Sequence, residues 1–240
     1  RGDAAMIAHG LSRYLLARGD KNEAEQLWPF LKWCLEYCHR KLNAAGVPES
    51  DSDELEGRFP AGDANLSTAC LYYDGLVSAA YLAPLLGETA SVTRLYRKRA
   101  TQLRESIGRY FSANVSGYET YRYYEGNDLL RSWICLPLCF GIDDRAEGTL
   151  AALFSSEMMT EDGILTQQGS STGQRSMRLE GLLPLVMRMW LSRNSTIIRS
   201  AAFSEPTSRI RSRPTLKGRS GICRGRAHSI AGLSPKVFSE

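Results

Sequence analysis

The sequence predicts an all-α protein built from paired helices, and two features of residues 1–172 lead to this prediction. Apolar residues recur through most of that region at the three- and four-residue spacing of an amphipathic helix. One segment, between two amphipathic ones, is apolar nearly all round, as expected of a helix inside a protein. Outer amphipathic helices that alternate with inner apolar ones are typical of a toroid or a solenoid of helical hairpins.

The first two helices are predicted over residues 3–19 and from about Leu27 to Ala45. The second carries an apolar stripe that runs to Ala45 and stops at Gly46. Pro29 either begins this helix or kinks it. Cysteines occur in two pairs, each four residues apart, without the histidines or the C-x-x-C spacing of a metal site. We expect them to be buried free thiols: Cys34, Cys38, Cys135 and Cys139.

Two further helices are predicted over residues 67–86 and 90–111. The first is the segment that is apolar nearly all round, and the second is amphipathic with a basic, solvated face. A polar, aromatic loop over residues 112–128 includes GYETYRYY, which could form a small hairpin, and SWICLPLCFGI is a short apolar segment. Asp144 and Glu147 have the spacing of a capping box for a last helix from Arg145 to about Ser155.

The composition changes abruptly near Thr172. Residues 1–172 contain 17 Lys and Arg against 23 Asp and Glu, whereas residues 173–240 contain 13 against 3. We therefore divide the chain into a helical domain, 1–172, and a basic tail, 173–240. The N-terminus has neither an initiator Met nor the pattern of a signal peptide, and we interpret it as the cut end of a longer chain. No run of apolar residues is long enough to cross a bilayer, so no membrane partner is expected.

The loop ESDSDELEGRFP is the first candidate for chemistry, because five carboxylates fall within eight residues, from Glu49 to Glu56. Glycosidases use two carboxylates, one of which stays protonated as the general acid. Clustered like charges raise the pKa of one member, as an acid requires. The alternative is a soluble or calcium-binding loop, although the acids do not match the positions of an EF-hand.

The segment TYRYYEGNDLLRSW is the second candidate. Tyr and Trp rings stack on the apolar faces of sugars, while Asp, Asn and Arg form hydrogen bonds with sugar hydroxyls. A loop that simply packs on its own domain is the alternative. The residues that this reading singles out are Tyr121, Tyr123, Tyr124, Glu125, Asn127, Asp128, Arg131 and Trp133.

Four strings together resemble the six-hairpin glycosidases: ESDSDELEGRFP, ANLSTACLYYDGLVSAAYL, TYRYYEGNDLLRSWICLPLCFGI and DGILTQQGSST. This superfamily of (α/α)6 toroids includes enzymes related to glycogen-debranching enzymes and trehalases. The resemblance covers residues 1–172 and implies a partial (α/α)6 toroid, because six or seven of the twelve helices are present. It further implies a fragment of a glycoside hydrolase that acts on O-glycosidic bonds of oligo- or polysaccharides.

The resemblance also implies a site. The acidic loop is similar to the loop that carries the general acid, with Asp53 and Glu54 as alternatives, and it should lie within reach of residues 121–131. The pocket would be lined by Glu56, Arg58, Tyr73, Tyr123, Glu125, Asp128, Arg131 and Trp133. The partner is a carbohydrate substrate, with no metal and no organic cofactor. No motif for the general base appears after residue 172, so we expect this chain alone to hydrolyse no glycoside at an appreciable rate.

Two other functions remain as alternatives. A non-catalytic helical-repeat scaffold that binds a protein is possible, although the helical pairs lack a fixed period. A nucleic-acid-binding arm would use the basic tail, but we expect no nucleic-acid partner. Neither the oligomeric state nor the cellular location follows from the sequence, and bacterial cytoplasm and periplasm both stay open.

The tail itself is predicted to be an out-of-frame translation that does not belong to the native fold. Residues 187–205 can be back-translated so that a shifted frame encodes an amphipathic helix ending in glycine. In the same frame, residues 233–240 give a segment that resembles the closing helix of this glycosidase type. A genuine disordered tail rich in Ser, Arg and Gly is the alternative. Stop codons in the shifted frame of the nucleotide sequence would exclude the frameshift.

Overall fold

The computed structural model describes residues 2–50, 52, 59–161 and 163–170, and this part of the chain is mainly helical. The prediction of an all-α class is confirmed at that level, with only short strands added. The predicted tail and the boundary near Thr172 lie outside the described residues. The elements are α1 Gly2–Arg18, α2 Lys21–Arg40, α3 Leu66–Leu85, α4 Ala90–Phe111, β1 Ser112–Val115, β2 Tyr118–Tyr121, a 3-10 turn Ser132–Cys135, α5 Leu136–Cys139, α6 Ala146–Leu153, β3 Met159–Thr160 and β4 Gly163–Ile164.

Helix α3 forms the centre of the described part, as its apolar sequence predicts. Fifteen of its 20 residues are buried, and it packs against both α1 and α4. Gly75 allows α1 to approach closely, since a Cβ atom at this position would lie 3.0 Å from the Cβ of Ala8. The helix begins at a side-chain cap, because Asn65 Oδ1 accepts a hydrogen bond of 2.9 Å from the backbone N–H of Thr68.

Helix α2 differs from the prediction at both ends. It begins after Asp20, whose carboxylate accepts a hydrogen bond from the backbone N–H of Glu23, so Pro29 lies inside the helix and does not begin it. It ends at Arg40, five residues before Ala45. The apolar stripe runs past the helix because Asn43 forms a turn: its side chain accepts hydrogen bonds from two backbone N–H groups of the 45–47 segment, and Gly46 adopts a φ of 80°.

The long connections gather at one end of the helices. Trp28 and Lys32, in the first half of α2, both donate hydrogen bonds to Glu88 in the turn that follows α3. Glu36, further along α2, forms an ion pair with Arg99 of α4. Helices α2 and α3 are therefore antiparallel, and so are α3 and α4. The short α1–α2 and α3–α4 turns lie at one end, while the 41–65 connection and the segment after α4 lie at the other.

The region after α4 is less regular. The segment GYETYRYY does form a hairpin, in which β2 pairs antiparallel with β1. The predicted capping box is wrong: Arg145 is the N-cap residue of α6 and no side chain caps that helix. Asp144 instead forms an ion pair of 3.4 Å with Arg104 of α4, which replaces the local hydrogen bond with a contact between distant elements.

The prediction of buried free thiols is confirmed for Cys34, Cys38, Cys135 and Cys139, and Cys70 belongs to the same class. Desolvation by burial raises the pKa of Cys38 to about 12, which makes this thiol a packing group. Among the described helices, none combines the length and the apolar character that a bilayer crossing requires.

Candidate functional site

The N-terminal end of α3 is tied to the tyrosine-rich segment by a buried chain of hydrogen bonds. The Tyr123 hydroxyl donates to Ser67 Oγ at 2.8 Å, and Ser67 Oγ donates to Asn65 Oδ1 at 2.8 Å. The backbone carbonyl of Tyr123 also accepts from the N–H of Leu66 at 2.9 Å. Because Asn65 is also the cap of α3, one side chain links the start of the central helix to residues 123–127.

Arg131 is the most deeply buried cation of the described part, with a relative exposure of 0%. Its guanidinium lies between two aromatic rings, 4.7 Å from the centroid of Phe59 and 4.5 Å from that of Tyr123. Its Nη1 atom donates to the carbonyl of Pro60 and to Gln167 Oε1, both at 3.2 Å. A guanidinium stays charged in proteins, so its burial requires such partners. Arg131 therefore joins three segments that are distant in the sequence.

The acidic loop reaches this cluster at both of its ends. Asp53, Glu54, Glu56 and Arg58 lie outside the described residues, but the residues that flank them do not. On one side, the carbonyl of Ser52 accepts hydrogen bonds from Asn65 Nδ2 at 3.1 Å and from Ser50 Oγ at 2.8 Å. On the other side, Phe59 and Pro60 contact Arg131. The described flanks of the acidic loop therefore lie beside Asn65 and Arg131.

Glu125 and Asp128 are exposed at the same loop end. The Tyr110 hydroxyl donates to Glu125 Oε2 at 3.1 Å, and Arg122 lies 3.9 Å from the same carboxylate. Partial burial, together with this hydrogen bond, raises the pKa of Tyr110. Trp133 is half-buried, and its Nε1 atom has no hydrogen-bond partner among the described residues.

Tyr73 is placed elsewhere. It lines a groove of about 410 Å³ between α3 and α4, with Val77 and Ala80 from its own helix and with Arg97 and Arg104 from α4. The structure therefore brings Tyr123 and Arg131 together with the flanks of the acidic loop, whereas Tyr73 lines the groove between α3 and α4.

A cluster that the sequence analysis missed is built around Asp74, which is buried in the middle of α3. Its carboxylate accepts hydrogen bonds from Arg13 Nε and pairs with His9 Nδ1, both at 2.8 Å. Desolvation pushes the pKa of Asp74 upward, but the hydrogen bonds from His9 and Arg13 outweigh it, so the pKa lies below its usual range. The only sequence signal was an acid inside an otherwise apolar helix, and its partners lie more than 60 residues away.

The loop-end residues that were missed differ in how easily they could be found. Asn65 precedes an apolar run, which is a recognisable N-cap position. Phe59 stands within the string ESDSDELEGRFP, but nothing in that string predicts its contact with Arg131. Gln167 carries no local signal, because its role depends on an isolated bridge between Arg131 and Gln167.

No group of three or more potential metal ligands occurs among the residues that the structure describes. Comparisons with protein-family models, with curated proteins and with solved structures found no match to the chain.

Proposed function

We propose that the chain carries the acid-bearing part of a glycoside hydrolase active site of the six-hairpin type, acting on O-glycosidic bonds of oligo- or polysaccharides. The observation that carries the proposal is the attachment of both flanks of the acidic loop to the Asn65–Tyr123–Arg131 cluster. This cluster lies at the end of the helices where the long connections gather. A partial toroid of helical hairpins would place its substrate at such an end.

Asp53 or Glu54 acts as the general acid in this proposal. Protonation of the leaving-group oxygen contributes roughly 10²–10⁴-fold to the rate of such reactions. The acid must hold its proton near neutral pH, and the other carboxylates between residues 49 and 56 favour this by raising its pKa. An inverting reaction places the acid and the base about 6.5–9.5 Å apart, so that a water molecule fits between them.

Arg131 acts in this proposal as a positioning residue. Its two ring contacts and its burial keep it from the surface on which a sugar would lie, while its hydrogen bonds hold Pro60 and Gln167. The exposed carboxylates of Glu125 and Asp128 are available to accept hydrogen bonds from sugar hydroxyls. Glu56, Arg58 and Trp133 complete the proposed site, and Tyr123, which is as buried as Arg131, helps to position that guanidinium.

Saccharide binding to the 240-residue chain tests the proposal. We expect saturable, weak binding of at least one member of a panel of oligosaccharides, with a dissociation constant of about 1 mM, measured by NMR titration. The double variant Glu125→Gln with Asp128→Asn should weaken it about tenfold or more. Glu49→Gln, an exposed acid on the flank of the same loop, is the matched control and should leave it unchanged. Failure of every saccharide to bind contradicts the proposal.

Hydrolysis of glycosides is the second test of the proposal. An aryl-glycoside panel should show no appreciable turnover by this chain, because acid catalysis without a base accelerates little. Turnover that is abolished by Asp53→Asn or by Glu54→Gln would prove that expectation wrong and would identify the acid.

One observation favours a second function, a scaffold that binds a protein. Phe30 and Trp33 of α2 are about half exposed, and the rings of Phe30, Trp33 and Tyr37 stack along the helix with centroids 6.4 Å and 5.4 Å apart. Exposed aromatic rings are enriched at protein interfaces. Saccharide binding that survives Trp33→Ala separates the two functions, because the scaffold alone predicts no saccharide binding.

A further inference from the structure

A polar cavity lies between α2 and α4 and shares no residue with the Asn65–Tyr123–Arg131 cluster. Its volume is about 350 Å³. The C-terminal end of α2, the turn of residues 42–46 and the second half of α4 form its walls, and Tyr72 of α3 contributes from inside the domain. Its polar lining residues are His39, Tyr72, Arg99, Gln102, Glu105, Ser106 and Arg109.

Two buried polar atoms of residues that line this cavity have no hydrogen-bond partner among the described residues. Tyr72 is 1% exposed, and its hydroxyl has no hydrogen-bond partner among the described residues. The same is true of His39 Nδ1. Buried polar groups in folded proteins are nearly always hydrogen-bonded, so two such atoms on one cavity indicate a missing partner. Burial and the nearby Arg99 lower the pKa of His39, so its ring is neutral at pH 7 and can either accept or donate a hydrogen bond.

The charged side chains of the cavity favour an anion. Arg99 is only 13% exposed and is held in place by an ion pair with Glu36, which does not line the cavity. Arg109 donates to Ser106 Oγ at 3.0 Å and lies 3.9 Å from Glu105. Two guanidinium groups therefore face one carboxylate within the lining, and the hydroxyl and amide groups add further donors. Guanidinium is the side-chain group that best matches carboxylate and phosphate oxygens.

The turn that closes the cavity is fixed closely against α4. A Cβ atom at Gly46 would lie 2.7 Å from Ser106 Oγ, and the φ of Gly46 is 80°. A glycine is therefore needed where the turn meets the helix. A volume of about 350 Å³ suits a small metabolite and not a chain.

We propose that this cavity binds a small organic anion with a carboxylate or phosphate group. Arg99 and Arg109 bind the anionic group, and the Tyr72 hydroxyl and the Gln102 amide bind the polar remainder of the molecule. The site is independent of the proposed glycoside hydrolase function, because none of its residues takes part in that function.

Isothermal titration of the 240-residue chain with citrate and, separately, with inorganic phosphate tests the proposal. Chloride holds the ionic strength constant, so that general screening does not imitate binding. We expect one saturable site with a dissociation constant below about 1 mM for at least one probe. Tighter binding of citrate indicates a carboxylate ligand, and tighter binding of phosphate indicates a phosphorylated one.

Two variants locate the site. Tyr72→Phe and Arg109→Met should each weaken binding about tenfold or more, as the loss of one polar contact does. Tyr123→Phe and Arg94→Met are matched controls outside the cavity and should bind as the unaltered chain does. Thermal melts verify that each variant folds, and Arg109→Met, an exposed position, keeps the test valid if Tyr72→Phe does not fold. Absence of saturable binding, or equal affinity in all four variants, overturns the proposal.

Discussion

Two buried charges among the described residues, Asp74 and Arg131, are stabilised in different ways. Asp74 pairs with His9 and Arg13, which both belong to α1. Helices α1 and α3 already pack closely through small residues such as Ala8 and Gly75, so the ion pair reinforces a contact that apolar burial makes. Arg131 joins Pro60, Tyr123 and Gln167, which belong to three separate loops.

The two charges therefore differ in role: Asp74 contributes to the stability of the helical packing, whereas Arg131 holds together the loops of the proposed site. Removal of Asp74 should lower the free energy of unfolding while the α1–α3 contact remains in place. Removal of Arg131 should release the loops from one another, because little regular structure holds them.

Arg131→Met should have the largest effect on stability. The variant leaves the Pro60 carbonyl and the Gln167 amide oxygen without their donor, and each such loss costs about 1–3 kcal/mol. We therefore expect the free energy of unfolding, measured by urea denaturation, to fall by about 3 kcal/mol. Hydrogen exchange should also quicken at residues 59–68 and 123–133. Uniform quickening across α1–α4, with no preference for these segments, would contradict a local role.

Asp74→Asn should lower the free energy of unfolding by about 2 kcal/mol. Breaking a buried ion pair costs about 3–5 kcal/mol, but the Arg13 side chain is 49% exposed and stays hydrated after the change. Hydrogen exchange should quicken in α1 and α3, and the segments around Arg131 should keep their protection. The same measurement on Asp3→Asn, an exposed acid of α1, is the control and should show no change.

The stabilisation by Asp74 should depend on pH. Its pKa is lowered in the folded state, since the hydrogen bonds from His9 and Arg13 outweigh desolvation. A lowered folded-state pKa gives stability that is present above the unfolded-state value of about 3.9 and is lost as pH falls through the folded-state pKa. The difference in unfolding free energy between the unaltered chain and Asp74→Asn should thus shrink between pH 5 and the acid limit. A difference that grows on acidification would reverse the assignment.

Tyr72→Phe should have the smallest effect on stability. Its hydroxyl has no partner among the described residues, so its removal should leave the free energy of unfolding unchanged or raise it by up to about 1 kcal/mol. Tyr123→Phe is the matched comparison, because that hydroxyl donates to Ser67, and it should cost about 1 kcal/mol. Equal losses in the two variants would show that the Tyr72 hydroxyl has a partner in solution.

The sequence predicts the regular helices well, since their boundaries follow from apolar periodicity. Helices α1, α3 and α4 match residues 3–19, 67–86 and 90–111 to within about one residue at each end. Helix α2 is the exception, because Leu42 continues its stripe into a turn made by Asn43. The capping box failed for a related reason: Asp144 binds Arg104, 40 residues away, and a tertiary ion pair took the place of the local cap.

The sequence pointed to the segments that form the candidate site, but it identified only some of the residues that contact one another there. Tyr123 and Arg131 were singled out because aromatic and cationic residues cluster in one string of the sequence, and the structure packs the two against each other. Their contacts with Phe59 and Gln167 were not found, since each depends on loops that approach only in the folded chain. The His9–Asp74 pair joins residues 65 apart and leaves no pattern that periodicity detects.

Saccharide affinity in the two buried-charge variants tests the central claim most directly, namely that the loop end held by Arg131 forms the site. Arg131→Met and Asp74→Asn are compared with the unaltered chain by NMR titration, at a temperature at which thermal melts show all three proteins folded. The account predicts that Arg131→Met weakens saccharide binding about tenfold or more, while Asp74→Asn binds like the unaltered chain. Binding that survives in Arg131→Met and is lost in Asp74→Asn would contradict it.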